Sequence, residues 1–158
     1  MIGGQRSARG FSFVELLAAS AILMVLAAAL VPIYRWDQKR RNERHLRIAL
    51  QLMRDAIDQY KKYSDEGMIL QTDVSQMGYP KDLDELVEGV DVGDPEAKTK
   101  KLTFLRRIPV DPMTGTAEWG MRSYQDDFDS DSWGGENVFD VYSLSPGQAL
   151  DGTYYRDW

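Results

Sequence analysis

The sequence predicts an α+β fold: one long N-terminal helix, with a small antiparallel β-sheet head packed on its second half. Three observations carry this expectation. Residues 11–34 read FSFVELLAASAILMVLAAALVPIY, 24 residues containing a single charge, Glu15. Leu46, Leu50, Met53, Ile57 and Tyr60 then recur at spacings of 4, 3, 4 and 3, which draws one apolar stripe on a helix. Finally, segments near residues 121–124 and 138–143 carry β-forming side chains such as Val138, Val141 and Tyr142.

The apolar run is long enough to span a bilayer, for which about 20 residues suffice. It exceeds the apolar core of an ordinary signal peptide, about 7–15 residues. A short basic stretch, MIGGQRSARG, precedes it. Arg6 and Arg9 favour a cytoplasmic N-terminus, but Arg35, Lys39, Arg40 and Arg41 on the far side oppose that orientation, so charge alone leaves it open. A carboxylate in a membrane segment is costly and usually has a partner. Were the chain cut after Gly10, Phe11 would carry the new amino group and Glu15 would be the fifth residue of the chain. On a helix that amine does not readily fold back to its own Glu15, whereas the Glu15 of another subunit is open to it.

Beyond the span, the helix is expected to continue to about Tyr63, roughly 80 Å in all at 1.5 Å per residue, with Gly67 as its stop. Glu43/Arg47 and Asp58/Lys62 are i,i+4 pairs in the favourable order. Pro32 removes a hydrogen bond within the run, and two helices broken near it are the alternative. The Leu46 to Tyr60 stripe needs a cover, which the head supplies. Gly78-Tyr79-Pro80 reads as a turn into a short helix with Leu83, Leu86 and Val87 on its apolar side and Pro80 in its first turn. Residues 90–101 read as polar loop, and Asp111-Pro112 and Ser145-Pro146-Gly147 as turns. There is no internal repeat and no low-complexity linker.

Composition narrows the chemistry. The 158 residues suggest one domain with an extension. A net charge of −6 and a pI near 4.8 argue against nucleic acid as a partner. With no cysteine, disulfides, thiolate catalysis and thiolate-bound metals are excluded. The one histidine, His45, sits in a charged run and reads as an exposed helix residue. Asp126, Asp127, Asp129 and Asp131 crowd one loop. The alternate acids Asp127, Asp129 and Asp131 resemble the start of a calcium loop. Ser132 then stands in place of the turn glycine, and Val138 in place of the bidentate Glu. Nothing selects two of these acids as a glycosidase pair, and no other catalytic constellation appears, so no enzyme activity is expected. Trp119, Trp133, Tyr154, Tyr155 and Trp158 read as packing or subunit-contact residues, with a carbohydrate platform as the lesser alternative.

Gly10-Phe11-Ser12-Phe13-Val14-Glu15-Leu16-Leu17 resembles the cleavage and methylation motif of type IV pilins and type II secretion pseudopilins. The basic leader, the Gly10/Phe11 junction, Glu15 and the apolar run all agree with it. The resemblance implies cleavage between Gly10 and Phe11 by a prepilin peptidase, N-methylation of Phe11, and pairing of Glu15 with a neighbouring subunit's N-terminus during assembly. Further along, Ile108-Pro109-Val110-Asp111-Pro112-Met113-Thr114-Gly115, Trp119-Gly120, Phe139-Asp140-Val141-Tyr142-Ser143, Ala149-Leu150-Asp151-Gly152-Thr153 and Asp157-Trp158 resemble the major, G-type pseudopilin of type II secretion.

This resemblance implies a pilin-like fold and the following organisation: leader 1–10, transmembrane or filament-core helix 11–35, amphipathic helix 36–66 and periplasmic head 67–158. It implies a structural subunit of the bacterial inner membrane that self-associates into a periplasmic filament. The partners implied are the prepilin peptidase, the inner-membrane secretion platform, minor pseudopilins and the lipid bilayer. In the better-known members a calcium loop follows the last strand. Here that region reads Ser143-Leu144-Ser145-Pro146-Gly147, which leaves the Leu144 carbonyl and Asp151 as the ligands of a weakened site. Two alternatives stand beside this reading. One is a type IV pilin of a surface fibre, against which the lack of a C-terminal cysteine pair weighs. The other is a monomeric membrane-anchored periplasmic binding protein, which has no use for Glu15.

Overall fold

The computed structural model describes residues 10–69, 73–92 and 101–158, without side-chain surroundings for residues 29–31. The expected leader, apart from Gly10, and part of the polar loop expected at 90–101 lie outside the described residues. A 53-residue helix, α1, runs over Phe13–Asp65 with Pro32 inside it, so the alternative of two broken helices is not what forms. It ends as the sequence suggests. Gly67 takes φ 73°, its N–H donates to the Ser64 carbonyl at 2.9 Å, and the Met68 N–H donates to the Tyr63 carbonyl at 3.0 Å. That pair of bonds around a left-handed glycine is a Schellman cap.

The chain divides into two compact units, residues 1–39 and 40–158. In the first, the described part of α1 is exposed all round, including Leu16, Leu17, Ile22, Leu23, Val25 and Leu26. Among the described residues, α1 is the one helix long and apolar enough to cross a membrane.

The second unit is the α+β head, and its spine is the remainder of α1. Leu46, Leu50, Met53, Ile57 and Tyr60, the stripe expected from their spacing, are all buried, joined by Ala49 and Ala56. Each large apolar side chain removed from water contributes about 1.5–3 kcal/mol. The cover comes from Leu83 and Leu86 of α2 (Leu83–Glu88), from Leu105 and Trp119, and from Val138, Val141, Ala149 and Tyr155. Helix α2 starts one turn later than the proline suggests. Asp82 is its N-cap, accepting the Glu85 N–H at 2.8 Å, while the Glu85 carboxylate accepts the Lys81 N–H at 2.7 Å. These reciprocal bonds satisfy donors at the helix start.

Two small antiparallel sheets complete the head. Strands β1 (Val90–Asp91) and β2 (Lys101–Leu102) pair Val90 with Leu102 and Asp91 with Lys101. Residues read as loop thus contribute a short ladder. Strands β3 (Gly120–Arg122) and β4 (Asp140–Tyr142) pair Gly120 with Tyr142, Met121 with Val141 and Arg122 with Asp140. Both fall at the segments expected to be strands. Gly120 is required where it stands, because a Cβ there would overlap the Tyr142 ring. The Arg122 guanidinium covers that ring at 4.2 Å from its centroid.

Candidate functional site

At the N-terminal end, Gly10, Phe11 and Ser12 precede the helix and are not helical. The first turn closes through the Leu16 N–H and the Ser12 carbonyl at 3.1 Å. A Cβ built on Gly10 would meet nothing within 4 Å. Nothing described in the chain therefore demands glycine at position 10. Phe11 is exposed, and Glu15 lies in the first turn of α1, also exposed. A carboxylate in a first turn favours its own helix through the macrodipole, which is the purely structural role open to Glu15. The apolar surface that follows is covered by nothing else described in the chain. A patch of this size calls for an apolar surrounding, either lipid or other subunits.

The acidic loop after β3 is built differently from a cation cage. The Asp126 carboxylate accepts the Ser123 N–H at 2.7 Å and the Gly134 N–H at 3.1 Å, closing the loop on itself. These bonds, the Ser123 one first, hold its carboxyl below the ordinary aspartate value of 3.8. The loop base is fixed by Asn137, which is wholly buried. Its side chain accepts the Tyr124 N–H at 3.0 Å and donates to the Ser75 carbonyl at 3.2 Å and to Gln125 Oε1 at 2.9 Å. Its own carbonyl accepts from Ser123 Oγ at 3.0 Å and Trp133 Nε1 at 2.8 Å. Arg122 Nε reaches the Ser130 carbonyl at 2.9 Å. Sequence reasoning missed Asn137, because a polar residue in a polar stretch has no periodicity to betray its burial.

The metal candidates fall in two separate segments of the head. Asp131 pairs with Arg156 at 3.2 Å, and Asp127 and Asp129 are exposed. In the other segment Leu144 is exposed. Asp151 accepts the Thr153 hydroxyl at 2.6 Å and N–H at 3.0 Å and faces Arg47 at 3.5 Å. The Thr153 hydroxyl, then its N–H, lower the Asp151 carboxyl. Among the described residues, no group of three or more His, Asp or Glu is placed to hold a metal ion. Two of the candidate carboxylates, Asp131 and Asp151, are engaged by Arg156 and Thr153.

Of the aromatic residues singled out, Trp119 and Tyr155 serve packing, while Tyr154 is exposed. Trp119 is buried with its indole N–H on the Pro109 carbonyl at 2.9 Å, and Tyr155 is buried against Trp158. Glu43 accepts the Leu150 N–H at 2.8 Å and the Tyr155 hydroxyl at 3.1 Å. Arg47 lies over Trp158 at 4.2 Å. This i,i+4 couple thus reaches across to the C-terminal segment of the head. His45 is exposed, as expected.

Against known proteins, residues 5–31 match the family described as the prokaryotic N-terminal methylation motif. The match supports a type IV pilin-like protein, and it covers the segment that contains Gly10, Phe11 and Glu15. No similarity to a curated protein or to a solved structure is found.

Proposed function

We propose that this chain is the structural subunit of a type II secretion pseudopilus. In this reading a prepilin peptidase cuts between Gly10 and Phe11, and Phe11 is N-methylated. The subunit waits in the inner membrane, with residues 11–35 as its span and the head in the periplasm. It then stacks into a helical filament that drives protein export, with the secretion platform and minor pseudopilins as partners. The observation that carries the reading is the methylation motif at residues 5–31 set at the start of a bare apolar helix. The same helix surface faces lipid before assembly and neighbouring helices afterwards, so it stays out of water in both states.

Glu15 fits this reading through charge. Its carboxylate would meet the amino group of a neighbour's Phe11 in a medium that screens poorly. A monomeric anchor gains nothing from that carboxylate. The preference for a pseudopilus over a surface pilus rests on the head segments 108–115 and 139–143 and on the absence of cysteine.

Deletion of the gene in its native bacterium tests the reading. The expected result is retention of secreted proteins in the periplasm while surface fibres persist. Unchanged export with loss of surface fibres would assign the chain to a pilus instead.

A further inference from the structure

We infer that two different faces of the head are complementary, so that one subunit's acidic loop docks on the exposed face of the next subunit's α1. The inference rests on the assembly proposed above and names the contact that would propagate it.

One face lies on α1. Ile48 and Leu52 are large aliphatic residues, 64% and 50% exposed, on the side of the helix away from the buried Leu46 to Tyr60 stripe. The helical repeat places Arg40 and Arg44 on the same side, with Arg44 one turn, about 6 Å, from Ile48. Both arginines are exposed, and neither side chain has a hydrogen bond or ion pair among the described residues. Gln51 and Asp55 lie farther along the face, so its positive charge is confined to one end.

The other face is the tip of the acidic loop. Phe128 is 90% exposed, the most exposed aromatic side chain described in the head. Asp127 and Asp129 flank it, both exposed and both without a hydrogen-bonded or ionic side-chain partner among the described residues. The loop is not a loose strand that happens to show a phenylalanine. Its base is tied by Asn137, Asp126 and the Arg122 bond to Ser130, and its far limb by Asp131 to Arg156.

Each face thus presents an uncovered apolar centre beside unpaired charge, and the charges are opposite in sign. The occupant the chemistry fits is a second copy of this chain. Phe128 would cover Ile48 and Leu52, and Asp127 and Asp129 would meet Arg40 and Arg44. The loop follows β3, whereas Ile48 and Leu52 lie on α1. The two patches are different surfaces of one subunit, so the contact is heterologous and leaves a free copy of each face at the two ends of any assembly. Such contacts grow open filaments where a self-matching patch would stop at a dimer.

Charge exchange in the full-length chain, expressed with its assembly machinery, tests the contact. Arg44→Glu and Asp129→Arg should each lower the yield of sheared, sedimentable filaments about tenfold, the effect of one close charge pair. Combining them should restore much of the yield, which damage to folding would not do. In an otherwise wild-type chain, which has no cysteine of its own, Ile48→Cys with Phe128→Cys should give a ladder of cross-linked multimers. Single variants at wild-type yield, a double variant no better than the singles, or dimers without a ladder would each overturn the contact. If the wild-type chain polymerises under the same conditions, such a failure leaves the proposed function standing. If the wild-type chain forms no polymer at all, both fall.

Discussion

Arg54 on α1 grips Asp140 on β4, Nε to Oδ1 at 2.7 Å, and the same guanidinium donates to the Val141 carbonyl at 3.1 Å and the Trp158 carbonyl at 2.7 Å. One side chain thus ties the helical spine to the sheet and to the C-terminal segment. Arg54→Ala should destabilise the head by about 2 kcal/mol, the range for hydrogen bonds to a charged group. Arg54→Lys should recover only part of this, because an ammonium lacks the planar fork that meets several acceptors at once. Thermal melts of the detergent-solubilised chain give the comparison. Equal stability of Arg54→Ala and wild type would contradict the tie.

A second polar anchor is wholly buried. Ser143 Oγ donates to Asp111 Oδ2 at 2.6 Å, and Asp111 Oδ1 accepts the Met113 N–H at 2.7 Å. Removing the carboxylate leaves donors without water or partner, at about 1–3 kcal/mol. Asp111→Ala should therefore lower the melting temperature clearly more than substitution of the exposed Asp129. Similar melting temperatures for the two variants would refute the anchor.

The two loop aspartates set a pH dependence. Asp126 and Asp151 are lowered from 3.8 by hydrogen bonds that are stronger to the ionised form. Their support of the loops is present above the unfolded titration range, which centres on 3.8, and is lost as the pH falls through the lowered values. Tyr155 acts at the other extreme. Burial first, and its bond to Glu43 second, push its hydroxyl up to about 12. That contribution is present below about pH 10 and fades as the pH rises toward 12. Carboxyl NMR titration should place Asp126 and Asp151 below 3.8, and values at or above it would count against these loop geometries.

How much of this was legible beforehand follows from the kind of signal. The Leu46 to Tyr60 stripe and the Gly67 stop were readable, because burial on a helix imposes a period and a left-handed cap asks for glycine. The β3–β4 pair was readable from Val138, Val141 and Tyr142, though the ladder itself is only three residues per strand. The β1–β2 pair was missed, since two-residue strands are too short to alternate. Asp111, Ser143 and Asn137 were missed as core residues, because buried polar groups are chosen for their partners and not for hydropathy. At the N-terminus the motif was plain in the sequence. The structure adds that a Cβ at Gly10 would meet nothing within 4 Å.

A substitution at Glu15 tests the proposed assembly role apart from folding. Glu15→Val should insert into the membrane at least as well as wild type, since a charge leaves the apolar run. The head should keep its melting temperature, while filament yield and export fall sharply. Normal filaments from this variant would leave Glu15 with no more than its place in the first helical turn.

The processing step is the claim on which the rest depends, and the N-terminus of protein isolated from its native membrane reports it directly by mass spectrometry. The account predicts a chain that begins with N-methylated Phe11, and loss of that species in Gly10→Val, where a branched side chain would crowd the peptidase. Assembled protein that still begins with Met1 would contradict it.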